Sequence, residues 1–375
     1  MSFNQYTWDL YKQTTIGIEM IKYFSDAGGY VLFKDYCPYA NFIPEDLYND
    51  WLENIYCYGV SDYDHPSSLE EAKDLYISLI TLGIRVEGQQ WLPANDFKNM
   101  LGIIQPMSYV LSQFAPEYFF PYLFLCRIFE LNKIADFFNI DLPNIPKRTD
   151  YKGRCMYYWE LCEVFYLFRK ENGLSPADLW SFLYDFAPNN LPSEKIDMPK
   201  PSQVWFIGGR LYQEDKSLES KFWQSSPETK KGDILVHYET SPISAITCIE
   251  ISLTDGVIDP LFRYYGCIYI GNRINIPHIT LKELQTDEYF FKHPLVRKNF
   301  QGVNGWSVNS ENYSELLRMI KTKGFDIEVL PKLYAPTLPK DVIIEYEHDV
   351  EQQLLEPLLN SMGWYENKDF IRQLP

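Results

Sequence analysis

Several chemistries are missing from this 375-residue chain. It has five histidines, scattered, and none sits among acids or cysteines at metal-ligand spacing. Asp62-Tyr63-Asp64-His65 comes nearest, but it is local to one stretch before a helix start and reads as a turn. Seven cysteines, an odd number with no CxxC pair, give no disulfide framework and point to unpaired thiols in a reducing, cytoplasmic setting. The opening Met1-Ser2-Phe3-Asn4-Gln5 lacks the basic and apolar regions of a signal peptide. No apolar run reaches eighteen residues, so no membrane partner is expected. There is no GxxxxGK[ST] phosphate loop and no GxSxG nucleophile turn. Glu71-Ala72-Lys73, Glu228-Thr229-Lys230 and Glu366-Asn367-Lys368 match a bare ExK spelling, without the acidic strand that a nuclease site needs. No catalytic residue and no metal ligand is therefore assigned within the chain.

Basic charge is also short. The net charge is −17, which argues against nucleic acid at first sight. Divided along the chain, residues 1–199 carry −12, 200–325 carry +1 and 326–375 carry −6. The acidity lies outside the central stretch. A near-neutral domain with local cations can bind nucleic acid, with a modest salt dependence.

Apolar and aromatic residues are abundant: 46% hydrophobic, with 29 Tyr and 24 Phe. That supplies buried cores and many stacking surfaces. Residues 1–190 read as an all-helical domain. Helices are expected over 13–25, 45–56, 69–81, 94–113 (interrupted near Pro106), 116–139, 155–171 and 176–186. Ser67-Ser68 followed by Glu70-Glu71, and Ser175-Pro176, are helix-start signals. Cys155 and Cys162 fall one heptad apart on one helix. Residues 191–202, rich in Pro and Asn, read as a linker.

From 203 to 330 the pattern changes to short β-rich runs: Val204–Ile207, Ile234–Tyr238, Ile243–Leu253 and Cys267–Ile270, punctuated by Gly, Pro, Asn and Asp. They read as a small, curved, mainly antiparallel sheet or barrel. Trp205 and Tyr238, in apolar strands, are expected in its core; His237, alternating with Val236 and Tyr238, either points into the presumed pocket or, as expected, makes a structural hydrogen bond. A helix capped by Ser310 closes the unit, burying Tyr313, Leu316, Leu317 and Ile320. Residues 331–340 read as a second linker. Val350, Leu354, Leu358 and Met362 then mark an amphipathic helix within 341–375, with Pro357 able to kink it. The fold class is α+β.

The order of Trp205, the isolated Trp223, the Gly232-Asp233 turn with its strand to Tyr238, and the strand 243–251 resembles the EVE branch of the PUA-like fold, related to the YTH domain. The family's Trp-x-Gly-Val-Arg-Asn element appears here only as Trp223-Gln224-Ser225-Ser226. The resemblance covers about a third of the chain. It implies a β-barrel that binds modified or flipped bases in an aromatic pocket. The base-binding candidates are Trp223, Tyr264, Tyr265, Trp306, Asn304 and Ser226; the backbone-contacting candidates are Arg210, Lys230, Lys231, Arg263, Arg273, Arg297 and Lys298. Glu345–Trp364 resembles the first helix of restriction-type nuclease domains. That implies a nuclease region continuing past Pro375, with Mg2+ as its metal and no cofactor within these residues. Modified DNA and restriction-system subunits are the partners so implied. An RNA-binding PUA-like protein and an acidic helical scaffold for a protein partner are the alternatives.

Overall fold

In the computed structural model, residues 3–38, 40, 43–192, 198–210, 220–334 and 344–371 are described. The chain is α+β and divides into two compact units: 1–194 with 258–265, and 195–257 with 266–375. The stretch 258–265, expected within the 203–330 domain, thus belongs to the first unit. Among the described residues, no helix is long and apolar enough to cross a membrane.

The first unit is mainly helical and packs around aromatic rings, with Trp8, Phe24, Tyr48, Tyr76, Tyr158 and Trp159 fully buried. Its longest helix, Tyr151–Glu171, buries Cys155 and Cys162 together. Ser175 and Asp178 form a capping box with Pro176 in the first turn. Ser68 caps the helix Leu69–Leu82.

Two expectations for this unit need correction, and a third is sharpened. It is not all helical: strands β1 (Ile84–Val86) and β2 (Gln89–Leu92) form an antiparallel hairpin. Glu87 and Gly88 both take positive φ, which is what a two-residue hairpin turn requires. The interruption expected near Pro106 is present: the helices Phe97–Met100 and Ile104–Phe114 are separated by turns at 101–103, and Pro106 itself lies in the first turn of the second, where a missing N–H costs nothing. The helix expected over 116–139 is confined to Ile128–Phe138. Pro121 would clash with the preceding helical turn. The segment before that helix runs through the core with only isolated turn bonds at Ala115 and Phe124, and side chains serve much of its backbone. Tyr122 N–H donates to Ser108 Oγ at 2.8 Å, Leu123 N–H to Tyr184 Oη at 3.2 Å, and Cys126 N–H to Asp259 Oδ2 at 3.0 Å.

The second unit holds strands β3 (Val204–Gly209), β4 (Ser220–Gln224), β5 (Ile234–Glu239), β6 (Ala245–Ser252), β7 (Val257–Ile258), β8 (Gly266–Thr280) and β9 (Trp306–Val308). They form one sheet in the order β4-β8-β6-β5-β3-β9, with β7 paired to β8. All pairings on this path are antiparallel except β3 with β5. Side chains alternate between the two faces. Val204, Phe206, Ile234, Val236, Tyr238, Ile246 and Ile249 belong to the larger core. The helix Ser310–Thr322 contributes Tyr313, Leu316, Met319 and Ile320 to it. Its cap is Asn309, one residue before the expected Ser310, and the Asn309 side chain accepts from Asn312 N–H at 2.7 Å. Trp205, Ile207, Leu235, Ile268 and Ile270 form a smaller cluster, with Trp223 packed against it. In the Gly232-Asp233 turn, Asp233 is buried and accepts from Trp205 Nε1, from Gln203 and Lys230 N–H, and from the Gln203 amide. Burial pushes its carboxyl up to about 6. Past the linker the helical segment runs from Glu347 to Ser361. It takes a wide π-turn at Glu351–Leu355, just before Pro357, which cannot donate to the preceding turn.

Candidate functional site

The two ends of the second unit's sheet are β4 and β9. Among the described residues no backbone ladder joins them, yet their residues meet. Trp223 on β4 donates from Nε1 to Asn304 Oδ1, two residues before β9, at 3.3 Å. Asn304 is itself held by Gly208 of β3, whose N–H donates to Oδ1 at 2.8 Å and whose carbonyl accepts from Nδ2 at 3.0 Å. A Cβ on Gly209 would fall 2.5 Å from the Trp223 ring, so only glycine lets the indole lie there. A Cβ on Gly305 would fall 2.6 Å from Ser226 N, which brings Ser226 to the same line of contact. The sheet therefore curls round, and side chains rather than strand pairing close it. This seam, with a half-buried indole on it, is the candidate site.

Beneath the indole lies a buried polar network. The His237 ring centroid is 4.7 Å from that of Trp223, edge to face. His237 Nδ1 is 3.0 Å from Glu250 Oε2, and Arg273 Nε donates to Glu250 Oε1 at 2.8 Å. His237 and Glu250 are essentially sealed from solvent. Burial raises the Glu250 carboxyl, but the hydrogen bonds that His237 and Arg273 donate, with the Arg273 charge, outweigh it and hold it below its ordinary value. His237 Nε2 is buried and has no partner.

Cys248 pairs opposite His237 across β5 and β6. Donor atoms of His237, Cys248 and Glu250 lie within 4.8 Å of one another, close enough to share a metal ion. One feature opposes that use. Glu250 is already matched by the Arg273 guanidinium. The network is better read as a buried ion pair that orients an imidazole.

Trp223, Asn304 and Ser226, named from the sequence, meet at the seam. Trp306 does not: it packs against the larger core near His293. Tyr264, Tyr265 and Arg263 belong to the first unit. There Tyr265 Oη donates to Pro146 O at 2.6 Å and its ring lies 5.2 Å from the Arg154 guanidinium, while Tyr264 is half exposed. The seam is built without these three. Among the candidate cations, Arg273 is the partner of Glu250, and Lys230 pairs with Asp369 with its Nζ 4.7 Å from the Trp364 ring. Neither is free for a phosphate. Arg210 is exposed and donates to Ser241 O at 3.2 Å. Lys231 is half-buried, and its backbone N–H donates to Asp255. Arg297 and Lys298 are exposed at the end of the helix Pro294–Arg297. The residues that sequence reading did not place at the site are Gly208, Gly209 and Glu250. The signal for Glu250 was the one charged residue inside the otherwise uncharged strand Ala245–Ser252.

No family model matches the chain, and no curated protein matches it. Among solved structures it is similar to an NMR structure of a Rhodopseudomonas palustris protein at 13% identity and TM-score 0.28, over 32% of this chain and 94% of that one. A hypothetical protein from Leishmania major is similar at 11% identity and TM-score 0.27, over 33% and 98%. Scores this low carry no argument about function.

Proposed function

We propose that the second unit is an EVE/PUA-like module that binds a modified or flipped DNA base at the seam, within a restriction-type defence protein of the cytoplasm. The observation that supports this most is Trp223: a half-buried indole at a sheet closure with no backbone ladder, next to a buried imidazole. A base that leaves its stack needs a flat apolar face and a polar edge partner, and these two residue types offer them. Stacking on one indole is worth about 1–3 kcal/mol. The exposed cations Arg210, Arg297 and Lys298 suit phosphate contacts, and their small number fits a weak salt dependence. None of the seven cysteines is in a disulfide, which supports a reducing compartment.

The test is fluorescence anisotropy with duplexes identical except for one modified cytosine or methylated adenine, at two salt concentrations, with an RNA control. Tighter binding to one modified duplex is expected. Trp223→Ala should weaken it by about tenfold or more, at a limited stability cost. RNA preference without a methylation effect would favour the RNA-binding reading. Flat anisotropy on every nucleic acid would leave the acidic scaffold.

A further inference from the structure

The buried network beneath Trp223 determines which edge of a base the seam can read. His237 Nδ1 lies 3.0 Å from a Glu250 oxygen, and the second Glu250 oxygen accepts from Arg273. A carboxylate brings no hydrogen of its own, so the hydrogen in the contact belongs to Nδ1. In the neutral ring, Nε2 then carries a lone pair and can only accept. That atom is buried and unpartnered. Buried acceptors without donors are uncommon, and one beside a candidate binding residue indicates where a ligand donor goes.

Access follows from the seam. Trp223 stands on an edge strand and is tied across the closure by one 3.3 Å bond to Asn304. Gly208 and Gly209 put no side chain in the way. Turning the indole aside costs the bond to Asn304 and its packing on the smaller cluster but no strand pairing, and would open a slot there. A planar heterocycle entering it would stack on the indole and turn its edge towards His237.

We propose that His237 Nε2 accepts a hydrogen bond from the exocyclic amino group of the bound base, so that the seam takes cytosine- or adenine-type bases and rejects thymine and uracil. This rests on the base-binding reading and names the base class. An amino group donates; the carbonyl oxygen that thymine or uracil carries at the matching position would set lone pair against lone pair. His237 is thus a specificity-determining contact, and Glu250 with Arg273 are positioning residues that fix its tautomer.

The experiment uses the full chain and short duplexes in which one unpaired test base faces an abasic site. The bases come in matched sets: 5-methylcytosine, thymine and 5-methyl-2-pyrimidinone, which lacks the amino group; then adenine and purine. In at least one set the amino-bearing base should bind about 10-fold tighter or more than its partners. Equal binding within both sets, with dependence on Trp223 retained, overturns the role of His237 and leaves the base-binding reading intact. Absence of binding to every duplex overturns both. A second measurement needs no variant to fold: the 15N spectrum of histidine-labelled protein should show the His237 Nε2 resonance as unprotonated and shifting when 5-methylcytosine duplex is added. A protonated Nε2 overturns the acceptor role.

Discussion

The two units treat buried charge differently. In the first, Arg154 and Asp259 are both buried, and their partners are backbone. Arg154 donates to the carbonyls of Arg148, Pro260 and Phe262; Asp259 accepts from Cys126, Leu261 and Phe262 N–H. Burial pushes the Asp259 carboxyl up to about 6. Such groups staple irregular backbone that no ladder serves. In the second unit Asp233 does the same for the turn before β5, but Glu250 differs: its partners are two side chains, and each keeps a buried nitrogen without a hydrogen-bond partner, Nε2 of His237 and Nη2 of Arg273. Unpartnered atoms occur in the first unit too, but they are the indole N–H of Trp8, Trp159 and Trp180 and the Tyr122 hydroxyl, on rings held by apolar packing. Backbone partners are fixed by the fold. Side-chain partners can exchange for a ligand, and that is why the seam rather than the Arg154 site is read as functional.

Substitutions can break this comparison. Arg154→Ala should cost the most, about 3–5 kcal/mol, because several buried carbonyls lose their donor at once. Chemical denaturation of the first unit would show it, and a loss under 1 kcal/mol would mean that the staple is dispensable. Glu250→Gln should cost about 2–3 kcal/mol, since Arg273 loses its counter-charge but is partly exposed and can turn outward. Base selectivity should fall with it, as the tautomer of His237 is no longer set by a carboxylate.

The pH dependence sharpens the same contrast. Asp233 and Asp259 titrate near 6 when folded against 3.8 in their ordinary state. The folded chain binds those protons more tightly, so their contribution is fully present below about pH 3.8 and is lost as pH rises through 6. Glu250, Asp255 and Asp287 are lowered, and Glu283 is lowered to about 2. Their contribution is present above their ordinary values and is lost as pH falls. The urea midpoint should therefore peak near pH ~5. A midpoint still rising from pH 5 to pH 8 would contradict the assignment of the two buried aspartates. The smallest effect is expected for Trp223→Phe. It keeps a stacking face and removes the bond to Asn304, so base affinity should drop only a few-fold by anisotropy.

Much of the local structure was legible. Ser175-Pro176 and the Ser67-Ser68 pair announced helix starts because capping is a matter of neighbouring residues. Periodicity placed the buried face of the helix Ser310–Thr322, and alternation placed Trp205 and Tyr238 in the core. Trp223, Asn304 and Ser226 were named together from the sequence because the resemblance grouped them, though 81 residues separate Trp223 from Asn304. Reading residue by residue failed where distant contacts decide. The apolar text of 116–127 suits a helix, yet Ser108, Tyr184 and Asp259 supply side-chain partners that make an irregular path affordable. Tyr264 and Tyr265 were named with Trp223 as base-binding aromatics, but they belong to the other unit.

The sequence by itself determined the α+β class, the approximate limits of helices and strands, and which faces are apolar, since these follow from period, capping and turn residues within a few positions of one another. Only the tertiary structure decided that the sheet closes through side chains at Trp223 and Asn304. It alone placed His237 between Glu250 and that indole, and removed Lys230 and Arg273 from the free cations by pairing each with an acid. Those pairings join positions 13 to 139 residues apart. A hydrogen bond or ion pair forms where chains meet in space, and no local period records where that will be.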